Sequence, residues 1–167
     1  MIELVEVVSG RDTAEETIQQ LQAWTRSVGK TPIHVLRAVP GFVANRLQYA
    51  LLREAYALVE DGVCSCVDVN EVVRLSIGAR WAAIGPFETM DLAGLDVHAA
   101  VAKQLYPQLS WSTLPEAVLR LVQDGALGCK SGWALRGDYA PDDVASLQNR
   151  RTQVLKALSA LRMGDWS

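Results

Sequence analysis

The sequence has no apolar run near the roughly 20 residues that a helix needs to cross a bilayer, so no membrane span is expected. Its first residues, MIELVEVVSG, carry no positive leader, no long apolar stretch and no small-residue cleavage site, so no signal peptide is expected either. Basic charge is scarce: 16 Lys and Arg stand against 19 Asp and Glu, a net charge of -3. No Lys/Arg cluster stands out, which argues against nucleic acid as a partner, because a phosphate-binding surface needs a basic excess somewhere. Cysteine is limited to Cys64, Cys66 and Cys129. An odd count without a secretion signal fits free thiols in a reducing, cytoplasmic setting. Cys64-Ser65-Cys66 is not a zinc spacing and no second pair completes four ligands, so no metal site is expected.

Histidine, the usual general base at neutral pH, occurs only as His34 and His98. His34 falls in a strand-like segment and His98 near the start of a helix, and both read as structural. No Ser-His-Asp or Cys-His arrangement can be assembled from them. The glycine-rich turn G-x-G-x-x-G, which lets backbone amides and a helix N-terminus hold a pyrophosphate, is also missing. Gly128, Gly132 and Gly137 have the wrong spacing for it.

What the 167 residues do contain is a composition that is half hydrophobic and about one-fifth charged, enough for one globular domain with a core. Ile2–Val8 (IELVEVV) reads as a buried strand, and Thr31–Arg37 (TPIHVLR) as a second extended segment. Between them, Thr13-Ala14-Glu15-Glu16 reads as a capping box that opens a helix to about Val28, with Ile18, Leu21 and Val28 on one face and Gly29 as its stop. Pro40 forces Val39 to be extended, and a long helix follows to Gly62. Its apolar stripe is Val43, Leu47, Ala50, Leu51, Leu58 and Val59, and Glu54 falls on that stripe. A carboxylate there needs a partner, and pairing with an Arg is expected. Ser65 is placed to cap a helix over about Cys66 to Ile77, followed by a Gly-rich break at GARW. Two helices then read at about Pro86 to Ala93 and Asp96 to Leu105. Another starts at Leu114-Pro115, with proline in the first helical position, and ends at Gly125. GALGCKSGWALRGDY reads as a surface loop. Pro141 to about Arg162 reads as an amphipathic helix with Val144, Leu147, Val154, Leu158 and Leu161 on one side. The sum is two short strands and about six helices, a mainly all-α chain.

The elements LVEVV, GK-P, PGFVANRL and G-GPFE--D--GLD, in this order and spacing, resemble the 3-hydroxyacyl-CoA dehydrogenase family, with its lambda-crystallin, gulonate and carnitine dehydrogenase relatives. The resemblance runs from about residue 3 to 110 and continues weakly to the end. It implies residues 1–37 as a remnant of a Rossmann domain and 38–167 as the helical substrate and dimerisation domain, a bundle like the C-terminal part of 6-phosphogluconate dehydrogenase. It implies that the NAD site and the catalytic histidine belong to a segment upstream of this chain, so that this chain alone binds no NAD. Glu6 matches the carboxylate that pairs with that histidine, and without the histidine it is expected to be solvated or badly placed. Asn45 matches an asparagine at the substrate end of the cleft. Arg46 reads as structural, paired with a nearby carboxylate or carbonyl. Phe87 and Met90, with Leu95, can line an apolar slot for an acyl chain. One departure is that the family's glycine-x-glycine-aromatic-tyrosine loop is interrupted here by Trp133 and Ala134.

The function expected on this basis is a C-terminal domain of an NAD-dependent oxidoreductase of fatty acid metabolism, converting 3-hydroxyacyl-CoA to 3-oxoacyl-CoA. The chain would supply the carboxylate partner of the histidine, part of the substrate cleft and a homodimer interface. It would be inactive without the Rossmann half. The contrasting expectation is a non-enzymatic helical dimerisation or interaction module that has lost the cofactor domain.

Overall fold

The computed structural model describes residues 2–113 and 115–163. The chain divides into two compact units, one of residues up to Leu51 together with those from Thr152 on, the other Leu52–Arg151.

In the first unit, β1 (Leu4–Val8) and β2 (Thr31–Val35) pair in parallel, with Glu6 opposite Ile33 and Val7 opposite His34. Parallel neighbours need a crossover, and α1 (Glu15–Ser27) supplies it and packs on both strands. Ile18 and Thr25, two turns apart, are its buried residues, and Val7 and Val35 are buried on the strands. The Thr25 hydroxyl avoids an unsatisfied burial by donating to the Leu21 carbonyl at 2.7 Å. Leu21 and Val28, expected on the buried face, are exposed. The expected capping box does not form. Ala14 is the N-cap, and the Thr13 hydroxyl accepts the Gly10 amide at 2.9 Å instead, because it closes the preceding turn.

Val39 to Phe42 is a tight turn in which the Phe42 amide donates to the Val39 carbonyl at 2.9 Å. Pro40 and Gly41 occupy its centre, and Gly41 has the positive φ (78°) that such a turn requires at its third position. α2 (Ala44–Glu60) follows.

In the second unit, Ser65 caps α3 (Cys66–Val72) as expected. Its hydroxyl accepts the Asp68 amide at 3.1 Å, and Asp68 reaches back to the Ser65 amide. The break expected at Gly78 is absent. The chain passes through one π-helical turn (Val73–Ile77) directly into α4 (Gly78–Ala83). Gly78 is what the wide turn needs, because its amide donates to the Val73 carbonyl and a Cβ there would stand 2.8 Å from that oxygen. α5 (Pro86–Ala93) and α6 (Leu95–Leu105) lie within a residue of expectation. Pro86 starts α5, Glu88 bonds back to the Gly85 amide at 2.9 Å, and Gly94 separates the two helices with φ of 96°.

α7 (Glu116–Gln123) begins one residue later than expected. Pro115 is its N-cap rather than its first helical residue, and Leu114 lies outside the described residues. The stretch expected as a plain loop contains a short antiparallel hairpin, β3 (Trp133–Ala134) with β4 (Gly137–Asp138). Trp133 and Ala134, which interrupt the family pattern, are thus the first hairpin strand. Arg136 at its tip lies 5.3 Å from the centroid of the Tyr139 ring. α8 (Pro141–Met163) closes the chain. Val144, Leu147 and Leu158 are half-buried as expected, but Val154 and Leu161 are exposed, and Leu155 and Ser159 take their places facing inward. A strict stripe drifts around a helix this long.

None of the described residues of α2 to α7 is buried. Phe87, Leu92 and Trp111 are about four-fifths exposed. No helix among the described residues is long and apolar enough to cross a membrane.

Candidate functional site

The sequence provides no side-chain acceptor just before α2. Gly41, Phe42 and Val43 precede its first residue, so its opening amides need a partner from elsewhere. Glu6, in the middle of β1, supplies it. Its Oε1 accepts the Val43 amide at 2.8 Å and the Ala44 amide at 3.2 Å. A negative charge at this end also opposes the helix dipole favourably, while Arg46 in the same turn does not. Glu6 is therefore neither fully solvated nor badly placed, contrary to expectation. A strand carboxylate and a helix N-terminus meet the same need from both sides.

Asn45 is the second residue of α2 and is exposed. Its side chain has no hydrogen bond among the described residues. Arg46 is also exposed and, again among the described residues, makes no ion pair or hydrogen bond. The expected pairing does not occur, because the carboxylate at this helix end is taken by backbone amides. Phe87 and Met90 lie on α5 in the second unit, Phe87 almost fully exposed and Met90 half-buried.

Glu54 is half-buried, as its place on the apolar stripe requires, but its partner is a backbone amide rather than an arginine. Its Oε2 accepts the Ser110 amide at 2.7 Å. Glu60, six residues further along α2, likewise accepts the Ala117 amide at 2.8 Å, in the first turn of α7. No local pattern marks these carboxylates as acceptors of distant backbone amides.

His34 bonds to the Ser9 hydroxyl at 2.7 Å between the ends of β1 and β2. Sequence reading did not anticipate this pair. Cys64, Cys66 and Cys129 are free thiols, and Cys66 donates to the Leu135 carbonyl at 3.4 Å. Among the described residues no group of three or more His, Cys, Asp or Glu could hold a metal ion. An open cavity of about 410 Å³ is lined by Glu3, Lys30, Lys156 and Ser159, among others, and by none of the expected site residues.

The β1–α1 connection does not fit a dinucleotide. It has one glycine, Gly10, whose amide is taken by Thr13, and a Cβ there would meet the Thr13 hydroxyl at 3.3 Å. A pyrophosphate needs open amides at that place.

Residues 41–135 match the sequence model of the 3-hydroxyacyl-CoA dehydrogenase C-terminal domain, and residues 1–39 match that of the family's NAD-binding domain. The chain is 38% identical over 165 residues to 5-formyl-3-hydroxy-2-methylpyridine 4-carboxylate 5-dehydrogenase of Mesorhizobium japonicum, covering 98% of this chain and 53% of the relative. It is 39% identical over 163 residues to L-carnitine dehydrogenase of a Pseudomonas species, covering 95% and 49%. The chain thus spans about half the length of the curated relatives it matches. Among solved structures, a 5-formyl-3-hydroxy-2-methylpyridine 4-carboxylic acid 5-dehydrogenase superposes with a TM-score of 0.92 at 38% identity, covering 98% of this chain and 53% of that one. The (S)-3-hydroxybutyryl-CoA dehydrogenase of Ralstonia eutropha superposes with a TM-score of 0.58 at 29% identity, covering 83% and 48%. With the helical-domain match spanning more than half its residues, and the strand carrying Glu6 falling in the adjoining cofactor-domain match, this chain belongs to the 3-hydroxyacyl-CoA dehydrogenase family.

Proposed function

We propose that this chain is the substrate-side half of an NAD-dependent dehydrogenase that works with a complementary half carrying the cofactor and a catalytic histidine. The observation that carries this reading is the meeting of Glu6 with the start of α2, which puts a carboxylate beside the helix end where Asn45 stands exposed. A carboxylate next to an imidazole holds its tautomer and stabilises the imidazolium that forms when it takes a hydroxyl proton. The Asn45 amide can hydrogen-bond the reacting oxygen. Phe87 and Met90 offer apolar surface to an acyl or ring portion of the substrate. NAD belongs to the complementary half in this reading, because the one glycine of the β1–α1 connection, Gly10, already has its amide taken by the Thr13 hydroxyl.

The exposed apolar residues of α5 and α6, with Trp111, are the surface of a homodimer in this reading. A clean monomer by light scattering at micromolar concentration would count against that part.

The 3-hydroxyacyl-CoA reaction is one substrate reading. A small carboxylate substrate is the second. It is favoured by the TM-score of 0.92 to a pyridine-carboxylate dehydrogenase, against 0.58 to a hydroxybutyryl-CoA dehydrogenase. The test is NADH formation by this chain mixed with the N-terminal half of the Mesorhizobium japonicum relative. (S)-3-hydroxybutyryl-CoA and L-carnitine are supplied in turn. Turnover is expected with one of them, and none with the chain alone. Turnover by the chain alone would overturn the reading.

A further inference from the structure

The open cavity of about 410 Å³ lies wholly on the first unit and takes in neither Glu6 nor Asn45. Its wall joins three segments: Glu3 just ahead of β1, the connection between α1 and β2, and the inward face of α8 around Leu155 and Ser159. The first two segments lead into the amino ends of the parallel strands. Ligand crevices of open parallel sheets form at the carboxyl ends, so this cavity lies at the opposite end of the strands.

Its chemistry suits an organic anion. Lys30 and Lys156 both stand on the wall, and neither forms an ion pair among the described residues. Lys30 gives one of its three ammonium hydrogens to the Ile2 carbonyl at 2.8 Å, which holds its head and leaves two to donate. The Glu3 carboxylate on the same wall is engaged by the Ser159 hydroxyl. The end of α1 offers no free carbonyls of its last turn to repel an anion. Those of Trp24, Thr25 and Arg26 already accept the Val28, Lys30 and Gly29 amides. Val28, Leu155 and Ala160 add apolar surface, and Val28 stays 54% exposed although the pattern of α1 puts it on the buried face. A Cβ at Gly29 would meet no atom within 4 Å, so the space beside it is open.

We propose that this cavity binds a small organic carboxylate, its head held by Lys30 and Lys156 and its apolar body laid against Val28, Leu155 and Ala160. The volume falls within the roughly 300–1,000 Å³ of small-molecule sites. The ligand bridges the α1–β2 connection and α8, so its binding is linked to the seating of the last turns of α8. The site is complete in this chain and needs no complementary half.

The test is a titration of the 167-residue chain with hexanoate, followed by amide NMR shifts. Saturable shifts are expected at Gly29, Lys30 and Ser159, with α5 and α6 unmoved. Acetate should bind at least about tenfold more weakly, since each fully buried methylene is worth about a factor of four. Lys156→Gln alters an exposed side chain and should fold, and it should weaken hexanoate by about threefold or more. Ala160→Leu fills part of the apolar wall and should weaken hexanoate while leaving acetate unchanged. Hexanoate should also raise the thermal midpoint of wild type more than that of Lys156→Gln at the same concentration. The absence of saturable shifts at the three amides, equal affinity for acetate and hexanoate, or unchanged hexanoate affinity in Lys156→Gln would each overturn the site. Shifts confined to α5 and α6 would place hexanoate on the exposed apolar surface there and overturn it as well.

Discussion

Glu6 and Val43 are 37 residues apart in the chain, yet the carboxylate Oε1 of one lies 2.8 Å from the amide nitrogen of the other. The strand and the helix of this contact are separated along the chain by α1, β2 and the turn at Phe42, a non-glycine residue with φ of 46°, so the hydrogen bond ties together two elements that are not chain neighbours. Glu60 serves α7 in the same way: its carboxylate accepts the Ala117 amide in a first turn whose N-cap, Pro115, offers no side-chain acceptor.

Glu54 also accepts a distant backbone amide, that of Ser110 in a loop, and its removal should be costly. Glu54→Ala leaves the half-buried Ser110 amide without its acceptor, and a loss of about 1–3 kcal/mol is expected in urea unfolding. Glu54→Gln retains an acceptor and should lose less. Equal losses in the two variants would show that the amide contact is not what matters.

Gly78→Ala should also destabilise, by about 1–3 kcal/mol, because the new Cβ would press on the Val73 carbonyl at 2.8 Å. Thermal unfolding reads this directly. A variant as stable as wild type would mean that the π-helical turn relaxes to an ordinary helix at no cost.

Ser65→Ala removes the hydroxyl that accepts the Asp68 amide, one half of the reciprocal cap on α3, and leaves the backbone amide that donates to the Asp68 carboxylate. The expected loss is about 0.5–2 kcal/mol, with faster exchange confined to the first turn of the helix. No change in exchange at Asp68 would argue against the cap.

Phe87 offers the opposite case. Its side chain is 84% exposed, so Phe87→Ala should leave stability within about 0.5 kcal/mol of wild type. If Phe87 meets substrate or a second copy, the same variant should raise KM with the complementary half or weaken the dimer on light scattering. A large loss of stability in the monomer would place Phe87 in this chain's own core instead.

Much of the fold was legible because its causes are local. Pro86 and Gly94 bound α5, Ser65 and Asp68 open α3, and the β-branched run around Glu6 makes β1; each acts within one turn or one strand. The family was legible for a related reason, since PGFVANRL and GPFE keep their order and spacing. The Gly78 region misled because a glycine that breaks a regular helix is also what a π-helical turn needs, and composition does not separate the two. The partner of Glu54 was missed because the donor was a backbone amide, and every residue but proline carries one.

The sequence by itself determined β1, the start of α3, the bounds of α5 and which family the chain joins, because propensity, capping and motif spacing are properties of neighbours along the chain. Only the tertiary structure decided what Glu6 does, that the α2 start is strained at Phe42, and that Ser9 meets His34. Those depend on atoms brought within 3.2 Å from segments 25 to 38 residues apart, and no local rule encodes that meeting.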